Sequence, residues 1–401
     1  MRRRNIIWLT AAAVMLALIL AGCVAEGQTI SFAAAPQYFG QFQQLYPNEY
    51  ASFVADGMDK GSDGQVHSHA ASRAHTEADT RLPDSGAACL SCKTADFNTL
   101  YAEYGMEVFS MSYQEVSGEV VEYWSCRTCH ASGVPAANTD ATIVTYTSYR
   151  ASPSKFLQSV DPVTASCGQC HNATCTYPRY SLGKTGTALE DYDPWKYGAD
   201  ADGMRQAAEE YGIAAIPDLE RGVDVFYLGH PDLELFQGSV HQELGMTCAD
   251  CHMPTVTAQD GSTYVSHNAS SSPLDSEEAM RSCLDCHAEL GVSNTVEMRK
   301  YVRQKQADMA QLESDYLERL DALWTRITDA QAAGSADTDT LAAAKQAYAD
   351  ARYYYTFEHA EAREPGLKIS HSPDAMRDYI ARGNARMDEA FVSLEPQPEQ
   401  E

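Results

Sequence analysis

The chain has 401 residues, 44% of them apolar, which is enough to bury one large core or two smaller ones. Its formal charge of -27 repels nucleic acid and anionic lipid headgroups alike, so a nucleic-acid partner and purely electrostatic membrane binding are excluded.

Residues 1–23, MRRRNIIWLTAAAVMLALILAGC, join a basic start to an apolar run and end in Leu20-Ala21-Gly22-Cys23, the pattern of an export signal closed by a bacterial lipobox. Acylation of Cys23 would tether the mature chain to the membrane by lipid. An uncleaved anchor is the alternative, although the apolar run is short for a span. Both place the bulk of the chain on the extracytoplasmic, periplasmic side. Residues 24–36 are small and polar and are expected to form a linker.

Residues 37–290 carry five Cys-x-x-Cys pairs: Cys89 and Cys92, Cys126 and Cys129, Cys167 and Cys170, Cys248 and Cys251, Cys283 and Cys286. In an exported chain cysteines usually mean disulfides, but here the spacing decides otherwise. Residues i and i+3 share one face of a helical turn, so both thiols can bond one haem while residue i+4 turns toward its iron. A single such motif would also fit half a zinc site. Four that end in histidine, plus a fifth ending in Lys93, predict five covalent haems c and a mainly α, multihaem cytochrome c fold with a haem-packed core and few strands.

His130, His171, His252 and His287 are axial ligands by motif. The other eight of the 12 histidines, His67, His69, His75, His230, His241, His267, His359 and His371, compete for four opposite positions, and spacing does not allocate them. Lys93 is a different kind of ligand. An amine binds metal only when neutral, against a free pKa of about 10.4. Such an iron is expected to be specialised, with an opposite face open to a small molecule; the alternative is a solvated Lys93 and a histidine in its place. Cys175 is left over, as an inert thiol or as a thioether partner of Tyr177.

Beyond 290 there is no cysteine. From 293 to 332, Val296, Tyr301, Met309, Leu312, Tyr316, Leu320, Leu323 and Ile327 recur at near-helical spacing and predict a long amphipathic helix. AGSADTDT breaks it, and Asp339 or a neighbouring threonine is expected to cap a second helix running to EPG. Residues 291–401 thus form a long-helix region whose role is packing, dimerisation or both.

A Cys-x-x-Cys-Lys motif followed by four Cys-x-x-Cys-His motifs resembles the pentahaem ammonia-forming cytochrome c nitrite reductases, and the likeness extends from QLYPNEYASF to HSPDAMRDYI. The resemblance implies that the Lys93 haem reduces nitrite and that bis-histidine haems relay electrons. In HAASRAHTEADTR it implies an iron ligand in His69 and an anion-holding arginine in Arg81, with Arg73 as rival. In GHPDLELFQGSVHQELGMTCADCHMP it makes His230 catalytic and His241 an iron ligand, and His267 and His371 match the remaining ligands. Tyr177 is the candidate active-site tyrosine.

The resemblance further implies a homodimer and a membrane quinol-oxidising multihaem cytochrome as donor. The chain departs from the family where a calcium ion would sit. Its ligand positions hold Asn172, Ala173 and Thr174 after the third motif, and Tyr227 and Gly229 before His230. Calcium is therefore expected to be absent, with Arg179 a possible cationic substitute. An electron-transfer cytochrome without substrate, or a reductase of hydroxylamine or sulfite, are the rival functions.

Overall fold

The computed structural model describes residues 42–55, 86–120, 125–130, 154–174, 177–269, 271–359 and 365–395. Cys23, the linker, His67, His69, Arg73, His75, Arg81 and Cys175 lie outside them, as do the side chains of Cys89, Tyr177, Arg179 and His359.

The motif-bearing part is built of short helices, several of them started by a polar cap. Among them are α1 (Pro47–Ala55), α2 (Phe97–Tyr104), α3 (Pro162–Gly168), α4 (Tyr177–Thr185), α5 (Ala201–Glu210), α6 (Asp232–Phe236), α7 (Cys248–His252) and α8 (Glu277–His287). The Asp161 carboxylate accepts from Val163 N–H to open α3, with Pro162 in the first turn. Thr247 and Asp250 make a reciprocal capping box at α7, and Ser276 caps α8. Motif cysteines thereby fall on single, well-terminated turns.

Strands are few, as the pattern predicts. β1 (Ile216–Asp218) pairs antiparallel with β2 (Val223–Val225), and β3 (Thr255–Thr257) with β4 (Thr263–Val265). The β1–β2 turn is pinned by Arg221, which bonds Asp321 at 3.0 Å and lies over the rings of Trp324 and Tyr348.

Among the described residues, three long helices follow: α9 (Thr295–Ala333), α10 (Thr338–His359) and α11 (Pro373–Ser393). α9 opens where Asn294 accepts from Glu297 N–H and closes at Gly334, whose φ of 63° few other residues tolerate. Met309, Tyr316, Leu320, Leu323 and Ile327 face inward as the spacing predicts. Val296 and Leu312 do not: they are 71% and 38% exposed. Met298, two positions past Val296 and so on the opposite face, packs with Met280 and Val292 and turns Val296 outward. Beside Leu312 the inward place is taken by Glu313, which accepts from Gly366 N–H at 2.9 Å.

The cap of α10 is Asp337 rather than Asp339, its carboxylate accepting from Thr340 N–H at 2.7 Å, because the helix begins two residues earlier than a cap at Asp339 would place it. α11 was not foreseen as a helix of its own, although Ser372 and Pro373 are a strong start signal. The three helices converge on Tyr316, whose hydroxyl donates to Ala351 O at 2.6 Å and whose ring covers Gly383, where a Cβ would overlap it.

One apolar core runs from Leu90, Phe97 and Phe109 beside the first motif to Leu320, Tyr348 and Met387 in the long helices. Among the described residues no helix is long and apolar enough to cross a membrane.

Candidate functional site

The first motif lies on a helical turn, Gly86–Cys89, continued by a 3-10 turn, Leu90–Cys92. Lys93 N–H donates to Leu90 O at 3.0 Å, which fixes the lysine directly behind Cys92. Lys93 is 8% exposed and lies beside buried Ser91, Thr94 and Asp96.

The motifs touch one another. The Cys170 thiol is 3.8 Å from Cys92 O, joining the third motif to the first. Buried Gln169 donates through Nε2 to Thr128 O at 2.8 Å, joining the third to the second. The thiols of Cys167 and Cys248 interact across the third and fourth, and Cys251 lies within electrostatic reach of Cys283 in the fifth. The third motif is therefore a junction reaching three others, with the fifth attached through the fourth.

The histidines fall into pairs. Each metal–nitrogen bond takes about 2 Å, so two imidazoles sharing one iron stand with ring centres about 6 Å apart. His130 and His267 are 6.4 Å apart, His252 and His371 6.5 Å, and His287 and His241 6.3 Å. Every pair joins a motif histidine to a non-motif one, and that donor set fits a low-spin haem iron. The outer ring nitrogens are held as ligand imidazoles require: His267 Nδ1 lies 2.9 Å from Val265 O and His241 Nδ1 3.1 Å from Ser370 O. Burial, with His371 and His171 nearby, pushes His252 down to about 4, so its ring is neutral, the form a metal binds.

His171 has a different neighbour. Its ring meets His230 edge-on at 5.6 Å, and His171, His230 and Asp232 offer ligand atoms within 4.8 Å of one another. Backbone bonds hold this arrangement: Gly229 N–H to Ala173 O at 2.8 Å, His230 N–H to Asn172 O at 3.0 Å and Leu233 N–H to His171 O at 3.0 Å. Asp232 Oδ2 is 3.0 Å from His171 Nδ1, while Oδ1 is 2.8 Å from Lys368 Nζ and 3.3 Å from His371 Nδ1. Burial opposes ionisation of Asp232, but Lys368 and the two imidazoles hold its carboxyl well below the usual range.

Glu234, one helical turn from His230, is 6% exposed. Its carboxyl accepts from Trp195 Nε1 at 2.8 Å and from Ala173 N–H at 3.1 Å. Desolvation outweighs those bonds and raises it to about 7.

The residues at the family's calcium positions are tied to each other. Asn172 Oδ1 accepts from Thr174 N–H and Oγ1 at 2.9 and 2.7 Å, and its Nδ2 donates to Gly168 O at 2.6 Å. The carbonyls of Asn172 and Ala173 are taken by His230 and Gly229. A hard divalent cation needs six or more oxygen ligands, and this donor set does not fit one.

The structure thus gathers His130, His171, His230, His241, His252, His267, His287 and His371 around the motif cysteines. Tyr177 opens α4, and Arg81 and His69 lie outside the described residues. Sequence reasoning missed Asp232, Glu234, Trp195 and Lys368. The acidic pair after His230-Pro231 was a visible signal, since polar residues so near a catalytic candidate are seldom idle; Lys368 carried none, because its partner is remote in the chain.

The family model of cytochrome c552 matches residues 63–398. A cytochrome c-552 of Desulfotalea psychrophila is 29% identical over 219 residues, 50% of this chain and 40% of that protein. One from Haemophilus ducreyi is 25% identical over 324 residues, 77% of this chain and 59% of that protein. The chain spans about half the length of the curated relatives it matches. Among solved structures, the catalytic subunit of the cytochrome c nitrite reductase from Desulfovibrio desulfuricans ATCC 27774 has a similar fold, with a TM-score of 0.66 at 20% identity over 93% of this chain and 87% of that one.

Proposed function

The chain belongs to the cytochrome c552 family, and on that premise we propose that it reduces nitrite to ammonium with six electrons at a haem c held by Cys89 and Cys92 and ligated by Lys93. The observation that carries this is the buried lysine in the histidine position of the first motif. Four further haems at the other cysteine pairs would relay electrons, three with the histidine pairs described above and one with His171 and His69. Haem supplies one-electron redox chemistry and an iron that accepts the substrate nitrogen.

The protein groups divide the remaining work. Lys93 would hold the haem iron through its side-chain amine. Arg81 presents a forked, permanently charged donor set to the nitrite oxygens. His230 is assigned the delivery of protons to the substrate nitrogen. Tyr177 is assigned a hydrogen bond to bound substrate. No step is assigned to calcium, since the residues at that position satisfy one another.

The proposal extends to a chain exported through its lipobox, tethered at Cys23 on the periplasmic side, paired as a homodimer through α9–α11, and reduced by a membrane quinol-oxidising multihaem cytochrome.

Oxidation of a reduced dye by nitrite, with ammonium counted as product, tests the activity in the purified holoprotein. Lys93→His should lower turnover by roughly tenfold or more, the low end of what changes around a metal cost, while all five haems are retained. Unchanged turnover in that variant, or dye oxidation by hydroxylamine or sulfite but not by nitrite, would refute the proposal.

A further inference from the structure

Asp232 touches the ligands expected on two different irons. Oδ2 is 3.0 Å from Nδ1 of His171, the motif histidine of the third pair of cysteines. Oδ1 is 3.3 Å from Nδ1 of His371, whose ring pairs with His252, the motif histidine of the fourth. Lys368 Nζ sits 2.8 Å from the same Oδ1, with its side chain 10% exposed. His171 Nδ1 is hydrogen-bonded to the carboxylate and His371 Nδ1 lies within ion-pair distance of it, which leaves Nε2 of each ring for iron.

Three chain segments meet here, and each is independently fixed. Leu233 N–H bonds His171 O, which ties the start of α6 to the third motif. Gly366 N–H bonds Glu313 of α9, which anchors the turn carrying Lys368 and His371. The Asp232 side chain is 17% exposed, so solvent screens these interactions weakly.

An imidazole that donates its outer N–H to a carboxylate is a more basic ligand, and it favours ferric over ferrous iron. A cation on the same carboxylate draws charge away and opposes that effect. We propose that Asp232 is a positioning residue that sets the reduction potentials of the third and fourth haems together, with Lys368 limiting how far they fall. The third motif is the junction of the motif network, so electrons bound for the first motif from the fourth or fifth pass this pair. Two irons tuned by one group shift in the same direction, and neither becomes a trap for the other. The inference rests on the haem assignment of the proposed function but not on nitrite as substrate.

The test uses purified holoprotein with its haems counted as the pyridine complex, titrated electrochemically with visible and EPR detection. Asp232→Asn should raise two, and only two, of the five potentials, each by roughly a tenfold shift in the reduction equilibrium, about 59 mV for one electron. Lys368→Met should lower the same two. A shift at one haem, at none, or evenly across all five would overturn the coupling. Should Asp232→Asn fail to retain five haems, Lys368→Met decides by the same criterion. Paired shifts in a protein inactive toward nitrite would sink the proposed activity and leave this inference standing; normal nitrite turnover without paired shifts would do the reverse.

Discussion

Two carboxylates a helical half-turn apart, Asp232 and Glu234, behave oppositely because their partners differ. Asp232 faces a lysine and two imidazoles and stays ionised, whereas Glu234 has only neutral donors against its burial and is raised to about 7 from an ordinary 4.5. Folding therefore favours the protonated form of Glu234. Its contribution to stability is complete below about pH 4.5 and is lost as pH rises through about 7, and the two ends differ by on the order of 3 kcal/mol. Glu234→Gln keeps an oxygen for Trp195 and Ala173 without the titration. The urea midpoint of the parent should fall between pH 5 and 8 while that of the variant stays level; parallel curves would refute this account. At this scale Lys93 was legible in its motif, but the contrast between Asp232 and Glu234 was not, since both are acids two residues apart and only their surroundings separate them.

Among the elements, α9 shows what periodicity carries and what it does not. Its Met309-to-Ile327 stripe follows from helical spacing, but the inward turn of Glu313 follows from the segment packed over it. That segment depends on Gly366, which has a φ of 74° and lies so close to α9 that a Cβ would overlap the Gln306 carbonyl. Gly366→Ala combines left-handed strain with displacement of backbone and should cost at least about 2 kcal/mol. It should also loosen Lys368 and His371, visible as a partial loss of low-spin haem signal. An unchanged urea midpoint with an unchanged spectrum would show that the turn tolerates a side chain. The third long helix, α11, carried a start signal in Ser372-Pro373 that helical spacing alone did not bring out, and its place against Tyr316 at Gly383 carried none, because close approach of two helices leaves no local periodic mark.

For the whole molecule, the long helices bury aromatic and aliphatic side chains against each other, while the motif region has short helices held by caps and by contacts between motifs. The macrocycles are expected to supply the apolar contacts that region lacks, so haem attachment and folding should be linked there. Protein produced without haem attachment should keep amide-exchange protection in α9–α11 and lose it around Cys126–His130 and across α7 and α8. Equal protection in both regions would show that the motif region folds without haem.

The sequence by itself determined what depends on spacing along the chain: five cysteine pairs on single turns, a lysine in one histidine position, a mainly helical fold and the inward stripe of α9. Those features follow from the 3.6-residue turn, which is a local property. Only the tertiary structure decided which distant histidine faces which motif, and that one carboxylate lies between His171, His371 and Lys368. Such pairings depend on distances between segments far apart in the chain, which are set by packing and closed backbone bonds and not by any residue interval.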